Sequence, residues 1–152
     1  ADERDWVLVH DAARPLVRRA DINRLVDELA DDEVGGLLGA PVRDTMKRER
    51  AGHDDDVTPT ERTIDTTIDR NHLWHALTPQ FFPALALKSA IESMLQADPA
   101  AITDEASAME FAGCSPRLVH GYEDNIKITH PDDLRIAALF LQQIIQEENI
   151  QE

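Results

Sequence analysis

The sequence predicts an α/β protein in which strands and helices alternate along one domain. Two short apolar runs, Trp6–Val9 and residues 35–40, stop abruptly at a polar or proline residue, as strands buried in a parallel sheet do. Amphipathic segments with helical spacing separate these runs, and that order is typical of an open α/β sheet. A chain of 152 residues is long enough for one such domain with its own core.

The first predicted strand ends in a motif that can bind an anion or a metal ion. Asp11 follows directly, at the edge where open α/β sheets bind their ligands, and a carboxylate there commonly holds Mg²⁺ in phosphoryl-transfer enzymes. Ala12 and Ala13 leave room for a ligand near the backbone, and Arg14 can bind an anion. The competing interpretation, a polar turn in which Asp11 caps the next segment, stays open at this point.

Composition excludes several classes of partner. The formal net charge of −15 argues against a nucleic-acid backbone or an anionic membrane. No apolar run approaches the roughly 20 residues that a membrane span needs, and the start lacks a signal-peptide pattern. The single cysteine, Cys114, excludes an intrachain disulfide and indicates a reducing, cytoplasmic compartment. The chain opens at Ala1, a few residues before a strand that we expect to be central, which indicates a piece of a longer protein.

Residues 42–70 depart from this pattern and predict a projecting β-arm inserted in the domain. Two polar, β-compatible stretches, 44–48 and 63–69, flank a charged and turn-rich middle, 49–61. An isolated hairpin is marginal in water. We therefore expect this arm to pack against a second subunit and to form a homodimer.

The remaining elements follow from helical spacing, capping residues and short apolar runs. A helix beginning at Ala20 carries one apolar face, and Thr103 is the expected N-cap of a helix that starts with two acidic residues. The predicted apolar positions are Ile22, Leu25, Val26 and Leu29 in the first helix and Leu85, Leu87, Ile91 and Leu95 in a helix over about 83–96. Further strands are predicted at 117–120 and 125–128, and a last helix at about 132–148.

The residues that offer chemistry are phosphate donors and hydroxyls near the ends of elements. Lys127 stands between two isoleucines, so its side chain should point away from the side that they bury, towards a cleft. Each cation also has an ordinary interpretation as a surface ion pair, and that alternative stays open. The sequence contains no P-loop, no glycine-rich dinucleotide motif and no nucleophile elbow. The phosphate donors are Arg14, Arg70 and Lys127, and the hydroxyls are Thr45, Thr78 and Thr103.

Six ordered blocks of sequence together resemble a known family. They are VHDAARP from Val9, APVRDTMKR from Ala40, DRN from Asp69, LWHALTPQFF from Leu73, ITDEAS from Ile102 and DNIK from Asp124. The chain is similar over nearly its whole length to the methylerythritol-phosphate cytidylyltransferases of the non-mevalonate isoprenoid pathway. The resemblance implies a Rossmann-like nucleotidyltransferase fold, with a mixed and mostly parallel sheet flanked by helices and a β-arm that interlocks two subunits. The implied reaction joins CTP and methylerythritol phosphate, releasing pyrophosphate.

The resemblance also implies roles for individual residues. Asp11 would bind Mg²⁺ beside the substrate, and Ala12 and Ala13 would contact the cytidine nucleotide. Arg70 and Lys127 would be the catalytic pair that positions methylerythritol phosphate. The other expected substrate contacts are Arg14, Thr78, Thr103 and, from the arm of the other subunit, Thr45.

One departure from the family pattern is large. The glycine-rich N-terminal loop that holds the triphosphate does not occur in this sequence, so we expect the chain alone not to turn over CTP. Two alternatives remain open: a cytidylyltransferase for ribitol or another polyol phosphate, and a fragment that dimerises without catalysis.

Overall fold

The computed structural model describes residue 2, residues 5–50 and residues 62–151. Contacts divide the chain into two compact units, 1–40 with 76–152, and 41–75. In chain order the elements are β1 (Trp6–Val9), α1 (Arg19–Leu29), β2 (Gly36–Pro41), β3 (Met46–Glu49), β4 (Ile64–Ile68), β5 (Trp74–Pro83), α2 (Ala84–Ala97), α3 (Glu105–Phe111), β6 (Arg117–His120) and α4 (Pro131–Gln151). A short 3-10 turn, Pro99–Ala101, lies between α2 and α3.

The main sheet is mixed, with strand order β1–β5–β2–β6. β2 runs parallel to β6, with Leu38 opposite Val119, whereas β1 runs antiparallel to β5, with Val7 opposite Phe82. The expectation that β1 is a parallel strand buried on both faces is therefore wrong. Among the described strands β1 lies at one end of the sheet, and Leu8 stays 37% exposed.

β2 is the strand that the core surrounds. Its first five residues are buried, as predicted for the apolar run at 35–40. Neighbouring side chains of a strand point to opposite faces, and accordingly Leu37 and Leu38 belong to different apolar clusters. The Leu37 cluster includes Phe82 from β5, Leu87 and Met94 from α2, and Met109 from α3; the Leu38 cluster includes Leu25 and Leu29 from α1, Leu77 from β5 and Val119 from β6.

The helices form close to their predicted positions but bury different side chains in part. Leu25 and Leu29 of α1 are buried as expected, whereas Val26 is 37% exposed. In α2, Leu87 is buried, but Leu85 and Leu95 are exposed. The small Ala90 and the flexible Met94 occupy the positions that face α3, because α2 and α3 pack closely there.

The cap of α3 is Asp104 and not Thr103. The Asp104 carboxylate accepts a hydrogen bond from the Ser107 backbone N–H at 2.9 Å, and the Ser107 hydroxyl accepts from the Asp104 backbone N–H at 3.2 Å. This reciprocal capping box satisfies two backbone donors at once. A carboxylate also interacts more favourably with the positive end of the helix dipole than a hydroxyl does.

Residues 125–128, predicted as a strand, form no regular element. The backbone N–H of Ile128 donates to the Ala13 carbonyl at 2.8 Å, and this single bond does not make a ladder. The expected alternation nevertheless occurs. Ile126 and Ile128 pack against the buried Leu16 and Ala137, while the Lys127 side chain remains half exposed.

The second compact unit contains the predicted hairpin. β3 and β4 pair antiparallel, with Met46 opposite Ile68, and nearly all of their side chains are exposed. At the base of the unit, the backbone N–H of Val42 donates to the Leu73 carbonyl at 2.9 Å. Most of the predicted tip, 49–61, lies outside the described residues. No helix in the described part of the chain is long and apolar enough to cross a membrane.

Gly36 of β2 lies directly against the backbone of Arg117 in β6. A Cβ on Gly36 would lie 2.2 Å from the carbonyl oxygen of Arg117, and backbone cannot move aside cheaply there. We expect Gly36→Ala to lower the free energy of unfolding by about 3 kcal/mol or more, measured by urea denaturation. Gly121→Ala is the matched control, because its Cβ would lie 3.3 Å from the Leu38 side chain, and about 1 kcal/mol is expected. Equal losses in the two variants would contradict this account of the β2–β6 pairing.

Candidate functional site

A pocket of about 390 Å³ lies in the first unit, where the chain leaves β1 and crosses β5. This volume is in the range of small-molecule sites. The pocket is lined by the segment after β1, by β5, by the beginning of α3 and by Lys127. The charged side chains and hydroxyls that line it include Asp11, Arg14, Thr78, Asp104, Glu105 and Lys127.

Asp11 and Lys127 form an ion pair inside this pocket. The Lys127 Nζ lies 2.7 Å from Asp11 Oδ2, and Asp11 Oδ1 accepts a hydrogen bond from the Ala13 backbone N–H at 3.0 Å. The hydrogen bond from Lys127, followed by that from Ala13, lowers the pKa of the Asp11 carboxyl below its usual value. Asp11 is therefore ionised at neutral pH, and it holds an ammonium group whose other two N–H donors can meet a ligand.

Arg14 binds backbone carbonyls from two distant segments. Its Nη1 donates to the Asn125 carbonyl at 2.8 Å, and its Nη2 lies 3.4 Å from the Ala76 carbonyl. Burial lowers the pKa of the Arg14 guanidinium, although an arginine remains charged at neutral pH. Arg14 thus joins the turn after β1 to β5 and to the segment that carries Lys127. Its expected contact with a substrate anion stays a prediction.

Asn125 completes the attachment of the Lys127 segment. Its side chain is fully buried, and Nδ2 donates to the Thr78 carbonyl at 2.8 Å. One residue earlier, Asp124 forms an ion pair with Arg18, which also binds Glu147 of α4 at 2.7 Å. The Arg18 guanidinium lies 4.2 Å from the centre of the Tyr122 ring, a cation–π distance. Side chains therefore fix a segment that has no regular backbone pairing.

Gln80 ties β5 to the beginning of α3. Its side chain is buried; Nε2 donates to Asp104 Oδ2 at 2.9 Å, and Oε1 accepts from the Ala106 backbone N–H at 2.8 Å. The amide thereby satisfies both of its functions inside the protein. This contact holds Thr103 and Glu105 at the rim of the pocket.

Thr78 and His10 connect the turn after β1 to β5. The Thr78 hydroxyl oxygen accepts from the Asp11 backbone N–H at 3.1 Å and lies 3.0 Å from His10 Nδ1. On the other side of the ring, His10 Nε2 lies 2.9 Å from the Arg14 carbonyl oxygen. Both ring nitrogens of His10 thus have partners within the protein.

The structure brings five of the predicted site residues to one pocket and leaves two in the other unit. The turn containing Ala12 and Ala13 adjoins the pocket through Asp11. Thr45 and Arg70 belong to the second unit, where both are exposed and flank β3 and β4. Their contacts with substrate stay predictions. The five residues that line the pocket are Asp11, Arg14, Thr78, Thr103 and Lys127.

Sequence reasoning missed His10, Gln80 and Asn125. Each is a polar residue beside an apolar run or a charged residue, so nothing in the local pattern distinguishes it from a surface residue. Gln80 and Asn125 are buried because other segments supply their hydrogen-bond partners. Their burial and their hydrogen-bond partners can be recognised only in the folded structure.

The side chains of the pocket fit a magnesium ion that binds together with the phosphate groups of a substrate. Among the residues that the structure describes, no group of three His, Cys, Asp or Glu side chains could hold a metal ion. Asp11 offers one ionised carboxylate in the pocket. Mg²⁺ is commonly bound by one or two carboxylates together with substrate phosphates and water. A single carboxylate suffices only if phosphate oxygens supply further ligands.

Comparisons with known proteins agree on one family. A family model described as 2-C-methyl-D-erythritol 4-phosphate cytidylyltransferase matches residues 1–143. The protein of that name from Alteromonas mediterranea is 55% identical over 143 residues, which cover 93% of this chain and 56% of the relative. For the protein of that name from Escherichia coli O157:H7 the identity is 49% over 149 residues, covering 98% of this chain and 59% of the relative. The chain thus spans less than two thirds of the length of these curated relatives.

Solved structures give the same result. The crystal structure of the Francisella tularensis 2-C-methyl-D-erythritol 4-phosphate cytidylyltransferase has a TM-score of 0.77 at 34% identity, over 91% of this chain and 60% of that chain. The corresponding values for the enzyme from Thermus thermophilus are 0.70 and 27%, over 89% of this chain and 61% of that chain. These similarities confirm the predicted Rossmann-like nucleotidyltransferase fold with its mixed sheet. The chain therefore belongs to the 2-C-methyl-D-erythritol 4-phosphate cytidylyltransferase family.

Proposed function

We propose that the protein carrying this chain transfers the cytidylyl group of CTP to 2-C-methyl-D-erythritol 4-phosphate, a step in the formation of isoprenoid precursors. The products are 4-diphosphocytidyl-2-C-methyl-D-erythritol and pyrophosphate. The observation that carries the proposal is the Lys127–Asp11 pair, 2.7 Å apart, in the pocket of a chain of this family. In this proposal, the pair would supply a cation at the point where the two anionic substrates meet.

The reaction is an in-line displacement at the α-phosphorus of CTP. A phosphate oxygen of the acceptor forms a new bond to that phosphorus, and the bond to the β-phosphate oxygen breaks, so that pyrophosphate leaves with the electron pair. No nucleophile from the protein is required. Catalysis then consists mainly of positioning and of neutralising charge.

Lys127 neutralises the acceptor phosphate in this proposal. One of its N–H groups stays on Asp11, which fixes the position of Nζ, and the others meet the phosphate oxygens. The side chain is half exposed, so it can reach an incoming ligand without leaving its partner. Thr78 and Thr103 line the same pocket and would contact the rest of the acceptor, and Arg14 would contribute positive charge behind them.

Asp11 is the residue that would hold Mg²⁺. When bound, the ion supplies positive charge that neutralises the triphosphate and orients it. Ala12 and Ala13 follow directly in a turn and, with their small side chains, would allow the cytidine nucleotide to approach the backbone. The lowered pKa of Asp11 keeps this ligand ionised in neutral solution.

The second unit is proposed to be a dimerisation arm. β3 and β4 form a two-stranded ribbon with an almost entirely exposed surface, including Ile64 at 58% exposure. Such a ribbon is marginal on its own, and a second copy of the chain would bury it. A two-fold homodimer would bring Thr45 and Arg70 of the partner subunit to the acceptor in each pocket. We place this dimer in the cytoplasm, where a single unpaired cysteine is stable.

The substrate preference tests the proposed function directly. We expect the full-length protein that carries this chain to release pyrophosphate from CTP with methylerythritol phosphate at least 100-fold faster, in kcat/KM, than with ribitol 5-phosphate, a difference of about 2.7 kcal/mol. The measurement is a coupled pyrophosphate assay with each acceptor. Preference for ribitol phosphate would overturn the proposal in favour of a polyol-phosphate enzyme. Absence of turnover with both acceptors would indicate a dimerising protein without this catalysis.

Mixed dimers test whether Arg70 and Lys127 serve one shared site. Losing either charge-assisted contact should cost roughly 2–4 kcal/mol of transition-state stabilisation, about 30- to 1000-fold in kcat/KM. A dimer of one Arg70→Ala and one Lys127→Ala subunit should nevertheless retain about half of the wild-type activity. If the site is shared, one pocket carries both changes and the other carries neither.

The control is the pair of parent homodimers, and subunit exchange is verified by native mass spectrometry. Arg70→Lys should recover little activity, because the planar fork of arginine is lost. Mixed dimers as inactive as their parents would show that the two residues do not act in one pocket.

The exposed face of β4 tests the proposed arm. Ile64→Asp and Ile68→Asp should each shift the full-length protein from dimer to monomer at micromolar concentration, because a carboxylate would enter an apolar contact. Thr67→Asp adds the same charge on the opposite face, where Lys47 Nζ lies 2.7 Å from the Thr67 hydroxyl, and it should leave the dimer intact. Analytical ultracentrifugation gives the dissociation constants. A monomeric wild type would contradict the arm's role.

A further inference from the structure

His10 lies in a chain of three hydrogen bonds that runs from the turn after β1 to β5 and back. The chain starts at the Arg14 carbonyl, passes through both ring nitrogens of His10 and the hydroxyl of Thr78, and ends at the backbone N–H of Asp11. Its distances are 2.9, 3.0 and 3.1 Å. Each lies within the ordinary range of hydrogen bonds.

For a neutral His10 ring, the donors and acceptors at the two ends fix the direction of every bond between them. The Arg14 carbonyl can only accept, so His10 Nε2 carries the proton and donates. In a neutral imidazole Nδ1 is then the acceptor, and it must receive the hydroxyl proton of Thr78. The Asp11 N–H can only donate, and it donates to the Thr78 oxygen. Every donor in this chain of hydrogen bonds then faces an acceptor.

This arrangement gives the Thr78 hydroxyl one orientation. Its only proton points at His10, and one of its lone pairs receives the Asp11 N–H. Without an acceptor at the His10 position, the hydroxyl would rotate freely and compete for other acceptors, including the phosphate oxygens of a ligand. A hydroxyl proton that turned towards the Asp11 N–H would weaken the bond that holds the Asp11 backbone against β5.

The same bonds exclude other roles for His10. Both ring nitrogens are engaged within the protein, so neither is free to bind a metal ion. The displacement attributed to the pocket uses an ionised phosphate oxygen as nucleophile and removes no proton from it, so a general base has no task there. The side chain acts on the site only through Thr78 and the turn.

We propose that His10 is a positioning residue, which orients the Thr78 hydroxyl and thereby fixes the turn that places Asp11 and, through it, Lys127. The proposal rests on the proposed cytidylyl transfer, because its functional consequence is the rate of that reaction. Displacing reacting groups by about 1 Å can lower a rate by two orders of magnitude. The turn after β1 is held to β5 by few bonds, so the loss of one matters.

Three substitutions separate the two hydrogen bonds of the ring. His10→Asn places an amide oxygen near the position of Nδ1 and can still accept the Thr78 proton. His10→Gln places an amide nitrogen near the position of Nε2 and can still donate to the Arg14 carbonyl, but it does not accept from Thr78. His10→Phe keeps the ring and loses both bonds.

The assay is cytidylyl transfer by the full-length protein at one mildly alkaline pH. We expect kcat to fall about 10- to 100-fold in His10→Phe and His10→Gln and less than about 5-fold in His10→Asn, with KM for either substrate changing less than about 3-fold. His130→Phe is the matched control and should leave kcat unchanged, because this exposed histidine before α4 makes its hydrogen bonds to Asp133 with its backbone N–H and carbonyl. Equal rates in His10→Asn and His10→Gln would overturn the proposal.

A double-mutant cycle tests the connection to Thr78. Thr78→Val removes the hydroxyl and keeps the shape of the side chain. If His10 acts only through that hydroxyl, adding His10→Phe to Thr78→Val should lower kcat by less than about 2-fold further. Multiplicative losses would show that His10 acts on the site by another route, and they too would overturn the proposal.

A measurement independent of activity separates this proposal from the proposed function. Two-bond ¹⁵N–¹H correlations distinguish the two neutral tautomers of a histidine ring. We expect the Nε2–H tautomer for His10 in the wild type and an altered pattern in Thr78→Val. An Nδ1–H tautomer would overturn the hydrogen-bond directions. A wild type with the expected tautomer but no cytidylyl transfer would overturn the proposed function and not those directions.

Discussion

The geometry of the pocket depends on the side chains that hold residues 124–128, because this segment belongs to no helix or sheet. Arg14 binds the Asn125 carbonyl, the Asn125 side chain binds the Thr78 carbonyl, and Arg18 binds Asp124. The Asn125 side chain is fully buried, and those of Arg18 and Asp124 are only 15% and 16% exposed. An unmade hydrogen bond is costly in such surroundings. The position of Lys127 is therefore specified by polar contacts with other segments and not by backbone pairing of its own.

The same contacts explain how a chain with a net charge of −15 holds two cations, Arg14 and Lys127, at a pocket that three acidic side chains also line. Arg14 and Arg18 are committed to carbonyls and carboxylates of the protein, and Lys127 is placed by a single carboxylate, that of Asp11. Contacts at hydrogen-bond distance, and not the distant surface charges, set the positions of these cations, because charges farther apart than about 10 Å are screened by salt.

Features of the fold and of the pocket could be predicted from the sequence where a few neighbouring residues determine them. The strands Trp6–Val9 and Arg117–His120 and the hairpin of β3 and β4 follow from runs of a few residues, and they form where the sequence predicts them. The antiparallel pairing of β1 with β5 was not predicted, because pairing is set by distant residues such as Phe82 and not by the strand's own composition. For the pocket, the charged residues Asp11 and Lys127 were identified from the sequence and its family resemblance. Gln80 and Asn125 were not, since only the folded chain shows that they are buried.

The second compact unit interrupts the chain between two strands that are neighbours in the main sheet, β2 and β5. To the main sheet, residues 41–75 are one long loop whose ends are already held together by strand pairing. The entropy of closing a loop grows only with the logarithm of its length, about 0.6 kcal/mol for each doubling. Residues can therefore be gained or lost in the arm over evolution with little effect on the stability of the sheet. The length of this insertion can thus change during evolution while the arrangement of Asp11 and Lys127 is kept.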